Sequence, residues 1–155
     1  MTRDSLPLAD QKIGDIDYYA GSGLWRRAST LFTAVTFNAG DYTAQSGTWT
    51  VGSGDVNSFN YLLLGKMMTV TFNLVTTSVS ATPVDLRILV PAGKTISKRA
   101  DTAGICSDNG GTRTYCQIVA ASGTSLQIFF PAGAATWAAS TNATDVTGET
   151  TFEVQ

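Results

Sequence analysis

The sequence contains no histidine. That absence removes Ser-His-Asp and Cys-His nucleophilic catalysis, His-containing zinc sites and the usual side-chain switch near neutral pH. Charge is scarce too: Asp, Glu, Lys and Arg make up 14% of the chain, against ~25% in an average soluble domain. The formal net charge of -2 gives no basic footprint for a phosphate backbone or an anionic lipid, so nucleic acid is not an expected partner. No apolar run approaches the ~20 residues of a membrane helix, so no membrane insertion is expected. The opening MTRDSLPLADQKIGD lacks the apolar stretch of a secretory signal. Synthesis and assembly in a cytoplasm are expected, with a mature secreted form as the alternative. G-x-S-x-G, the P-loop and a G-x-G-x-x-G between strand and helix are all missing. Together these gaps predict a non-enzymatic protein with no cofactor and no metal.

What is present suits a β scaffold. Its 155 residues fit one domain that buries roughly 70% of its unfolded surface. Apolar residues make up 43%, with seven Phe, five Tyr and three Trp, which is enough for a core. Thr, Ser, Ala and Gly occupy the room that charges leave, a habit of secreted, virion and fibrous β proteins.

The organising stretch is Tyr61–Leu74. Tyr61 to Leu64 is apolar at every position, as in a strand covered on both faces. After Met67 the pattern alternates, with Met68, Val70, Phe72 and Leu74 on one side and Thr69, Thr71 and Asn73 on the other. Gly65-Lys66 between the halves reads as a two-residue hairpin turn. Further strands are expected at Leu31–Phe37, Tyr42–Ala44, Thr48–Val51, Asp85–Val90, Leu126–Phe130 and Thr150–Val154, with a hairpin about Asp108–Gly111. About ten short strands with regular turn chemistry predict an all-β fold, an antiparallel β-sandwich of jelly-roll-like kind, over residues 29–155. Residues 1–28 hold neither period for long and are expected to be an irregular N-terminal arm for attachment or oligomerisation. Leu86–Gly93 and Leu126–Gly133 echo each other, and both run into Pro-Ala-Gly. Two strands leaving the body at the same kind of corner are expected.

The chemistry-bearing candidates are few. Cys106 and Cys116 flank the Asp108–Gly111 turn symmetrically, so they are either a disulfide worth about 2–3 kcal/mol or two reduced, partly buried thiols. Asp15 with Asp17 and Asp101 with Asp108 are the candidate carboxylate pairs, though turn-making explains most aspartates here. Asp108-Asn109 lacks the spacing of a Ca²⁺ loop. Trp137, Tyr115 and Trp49 lie near predicted loops or strand ends and are the candidate ligand-stacking aromatics. Trp137, among small neighbours, is expected to be the most exposed; core or interface is the plainer reading for such a Trp. Asn142-Ala143-Thr144 matches the glycosylation sequon.

Gly47-Thr48-Trp49-Thr50-Val51, Phe59-Asn60-Tyr61, Gly65 to Phe72 and Leu86–Gly93 together resemble the β-sandwich heads of bacteriophage tail-fibre and head-fibre proteins, over roughly residues 45–135. The resemblance implies a virion structural protein, a homotrimer that decorates the particle or touches a host surface. Its partners would be further copies of itself, other virion proteins through the arm and a host-surface glycan. No binding residue is carried over. The alternative is a carbohydrate-binding module of a secreted protein.

Overall fold

The computed structural model describes residues 31–130 and 136–155 in full and the backbone of 15–19 and 25–29. The chain divides into two compact units, Met1–Phe32 and Thr33–Gln155. In the first, β1 (Asp15–Tyr19) pairs antiparallel with β2 (Trp25–Ser29), Asp15 opposite Ser29 and Tyr19 opposite Trp25. The arm is therefore not irregular throughout, and the division falls after Phe32, not after residue 28. Ile16, Tyr18, Tyr19 and Trp25 are residue types that favour extended backbone; the interleaved aspartates hid that preference in the sequence.

The second unit is all-β and antiparallel in every described pairing. Its strands are β3 (Thr33–Ala34), β4 (Tyr42–Ala44), β5 (Trp49–Thr50), β6 (Val56–Leu64), β7 (Met67–Val79), β8 (Asp85–Leu89), β9 (Ile96–Lys98), β10 (Ala100–Ser107), β11 (Thr114–Ala120), β12 (Ser125–Phe129) and β13 (Ser140–Val154). The ladder runs continuously in the order β3-β6-β7-β13-β10-β11-β12-β8-β4, with β5 added on β7 and β9 on β13. The expected all-β, antiparallel body is present, as one sheet that curls into a half-barrel. Its ends approach one another, because Tyr42 of β4 meets Trp49 of β5 edge-on at 5.7 Å and Phe59 of β6 at 6.3 Å. Burial and the nearby Asp41 push the Tyr42 phenol up to about 12, so the ring enters this contact uncharged.

The β6–β7 hairpin forms where the sequence places it. Leu64 opposes Met67 across Gly65-Lys66, and Gly65 has φ +61°, which a residue with a Cβ adopts only with strain. Met68, Val70, Phe72 and Leu74 are buried while Thr69, Thr71 and Asn73 are half-buried. Leu62 and Leu63 are only half-buried and Leu64 is 48% exposed, so the expected cover on both faces is absent. The strand outside β6 is two residues long and pairs only with Asn60 and Tyr61.

Where twist alone would leave a sheet open, small residues let this one curl. Ile118 of β11 leans over Gly104 of β10 and Gly148 of β13: a Cβ on Gly104 would lie 2.9 Å from Ile118 Cδ1, and one on Gly148 would overlap the same atom. Glycines at such positions permit sharp bending and close approach. The two echoing segments lie side by side as β8 and β12, Leu86 opposite Ile128, Arg87 opposite Gln127 and Ile88 opposite Leu126. Being antiparallel, they run towards opposite ends of the sheet. Pro131–Gly133 lie outside the described residues.

Inside the core, Thr150 is 1% exposed and its Oγ1 has no hydrogen-bond partner. A buried hydroxyl without a partner costs free energy that a methyl of the same shape does not. Thr150→Val is therefore expected to raise the unfolding free energy by about 1 kcal/mol. Urea denaturation checks this, and an unchanged or lowered midpoint would contradict it.

Candidate functional site

The three aromatic candidates part company in the structure. Trp137 is fully buried, its indole N–H donating to Ile128 O at 3.1 Å and its ring 5.2 Å from Phe130. Trp49 is 3% exposed and donates from Nε1 to Thr77 Oγ1 at 2.9 Å. Neither presents a ring face to a ligand, which corrects the expectation that small neighbours leave Trp137 open. The backbone of Trp137 is tied down as well, its N–H donating to Pro83 O at 2.9 Å. Tyr115 is the reverse case: it is 74% exposed.

Register explains why. β10 and β11 pair with Asp101 opposite Val119, Ala103 opposite Gln117 and Ile105 opposite Tyr115. These six residues share the outer pleat of the sheet, while Thr102, Gly104 and Cys106 alternate with them onto the inner one. Ile105 is 49% exposed beside Tyr115. A shallow groove of about 560 Å³ runs along this hairpin, lined by Asp101, Thr102, Ala103, Thr114, Tyr115, Cys116 and Gln117. Asp101 is held from the side by Arg99, whose Nε and Nη2 donate to the carboxylate at 2.9–3.1 Å. The groove therefore combines one open aromatic face, a primary amide and a carboxylate already matched by a cation.

Cys106 and Cys116 are both free thiols, both buried. The turn lies where it is expected, but Cys106 opposes Thr114 and Cys116 opposes Gly104. The cysteines are therefore diagonal neighbours, and Cα atoms across such a diagonal stand about 7–8 Å apart, beyond ordinary disulfide reach. In this structure they are two reduced, buried thiols. Its hydrogen bond to Cys116, together with burial, holds the Cys106 thiol well above the usual thiol range. Both thiols are expected to resist an aqueous alkylating reagent in the native chain and to react fully after denaturation. Mass spectrometry after brief iodoacetamide treatment checks this, and native labelling at either position would contradict the burial.

The carboxylate pairs do not assemble among the described side chains. Asp101 and Asp108 lie at opposite ends of an extended strand, about 20 Å apart along it, whereas a glycosidase pair needs about 5–10 Å. Asp108 accepts from Ala138 N at 3.0 and 3.2 Å, a structural tie, and burial raises its pKa. Asp15 and Asp17 fall in β1, whose side chains lie outside the described residues. Among the described residues no three acidic or thiol groups converge as a metal site would require, and no helix is long and apolar enough to cross a membrane. Asn142 of the sequon is taken up in the β7–β13 irregularity, accepting from Ser78 Oγ at 3.0 Å and donating its backbone N–H to the same atom at 2.9 Å.

Sequence reasoning named Tyr115 and Asp101 but not Ile105, Ala103 or Gln117, which share their face. The alternation from Ala100 to Ile105 carried that signal, and it needed the correct cross-strand register to be read. No protein-family model, no curated protein and no solved structure matches the chain.

Proposed function

We propose that this chain is a non-enzymatic virion protein of the tail-fibre or head-fibre kind, in which residues 33–155 are displayed and act by surface contact. In this reading the first unit attaches it to other virion proteins and the assembly is a homotrimer. The observation that carries the reading is the Ile105–Tyr115 pair. Two large side chains stand open on strands paired on both sides, a rigid mount that makes contact cheap in ordering entropy. Leu64 and Met67, cross-strand neighbours that are 48% and 46% exposed, add apolar surface that further copies of the chain would cover. Native mass spectrometry is expected to give a trimer, and antibodies against the chain are expected to label purified phage particles. A monomer at high concentration together with unlabelled particles would refute the proposal. The exposed Tyr115 ring also favours a second reading, a carbohydrate-binding module of a secreted protein, for which particles would be unlabelled and the chain monomeric.

A further inference from the structure

We infer that the groove along β10 and β11 binds an uncharged oligosaccharide, with one sugar ring stacked on Tyr115 and the next hydrogen-bonded by Gln117 and Asp101. This rests on the contact role proposed above and names the chemistry of the partner at that site.

The argument begins with what faces the groove. A pyranose ring has an apolar C–H face and a rim of hydroxyls, so its site must offer a flat apolar surface with donors and acceptors around it. Tyr115 supplies the surface: its ring is 74% exposed. Directly across from it, beside the groove, stands Ile105, itself exposed. Ala103, opposite Gln117, has only a methyl and leaves the space next to the ring open. Gln117 brings a carbonyl acceptor and two N–H donors. A purely apolar ligand would leave these groups unpaired on closure, which disfavours it.

Charge then narrows the class. The one ionised group lining the groove is Asp101, and its carboxylate is already engaged by Arg99. The remaining lone pairs of Asp101 can accept from sugar hydroxyls, as a charge-assisted bond does. A uronate or sialate would find no unpaired cation lining the groove to offset the cost of desolvating its carboxylate. Length sets the number of rings. Tyr115 lies level with Ile105, so Asp101 is four residues further along β10, about 13 Å at the rise of a strand. One ring cannot span that distance; a short chain lying along the strands can.

The experiment uses the full chain with maltotriose, cellotriose and mannotriose as neutral probes and sialyllactose as the acidic one. Saturation-transfer NMR is expected to show binding of at least one neutral trisaccharide, competed by excess of the same sugar. Tyr115→Ala is expected to weaken that binding about tenfold, the scale of one aromatic contact, while Tyr115→Phe keeps it. Tyr115 is exposed, so the Ala variant should retain the wild-type unfolding midpoint, which is measured alongside. The inference is overturned by no neutral binding at millimolar sugar, by binding that Tyr115→Ala leaves intact, or by preference for sialyllactose. It is also overturned if the chain covers this face with a second copy of itself, seen as concentration-dependent broadening at Ile105 and Tyr115 without sugar. Particle labelling is independent of all these outcomes: labelled virions with no sugar binding would sink this inference and leave the contact role standing.

Discussion

Trp137→Ala is expected to cost about 4 kcal/mol of unfolding free energy, enough to remove a large part of the stability of a domain this size. Two losses combine. The indole is fully buried against Phe130, and truncating it leaves a cavity in a packed interior. The change also removes the donor to Ile128 O, leaving a carbonyl in the core without that bond. Trp137→Phe separates the two, since it refills most of the volume and restores no donor. Its expected cost is about 2 kcal/mol. Urea denaturation followed by far-UV circular dichroism measures both variants. If Trp137→Ala fell within 1 kcal/mol of the parent chain, the burial of this side chain would be refuted.

That residue also marks where the sequence stops being readable. Ala-Ala-Thr-Trp-Ala-Ala carries no period, and whether its Trp faces water depends on which strand passes beneath it. Here that strand is β12, eight residues earlier in the chain at its nearest end. β7 is the opposite case: its alternation of Met68, Val70, Phe72 and Leu74 with Thr and Asn is a local pattern, and the burial follows it residue by residue. The first half of β13, Ser-Thr-Asn-Ala-Thr-Asp, is polar on both sides and carries no local strand pattern. Its strand state comes from pairing with β7 on one flank and β10 on the other, with irregular register at Thr144. Thr144 is fully buried there and Thr77 Oγ1 donates to its carbonyl at 2.7 Å. The candidate site shows the same limit. Exposure of Tyr115 was legible as a possibility, but its company was not, because a shift of two residues in the β10–β11 register changes which side chains stand beside it. The same shift moved the cysteines from opposite positions to a diagonal. Curling was invisible as well: Gly104 and Gly148 are far apart in sequence, and nothing local says that one isoleucine fills the notch above both.

That notch supplies the second large effect. Gly148→Ala is expected to lower the unfolding free energy by about 3 kcal/mol. The added methyl would overlap Ile118 Cδ1 and press on Phe72 Cζ at 3.2 Å. Ile118 and Phe72 are 0% and 2% exposed, so neither has solvent to rotate into, and a packed interior passes the strain to the strands. φ at Gly148 is not positive, so the cost is one of space and not of backbone conformation. This makes the prediction separable. Ile118→Val removes the offending Cδ1 and alone should cost about 1 kcal/mol, the usual loss for one buried methylene. In the double variant Gly148→Ala with Ile118→Val, the new methyl occupies the volume the old one vacated. The pair should then be less destabilised than the sum of the single changes by about 1–2 kcal/mol. Additive effects would mean that Ile118 does not sit over Gly148. The sheet would then have to curl by some other contact, and the outer face that carries Tyr115 would lose the underside that fixes its shape.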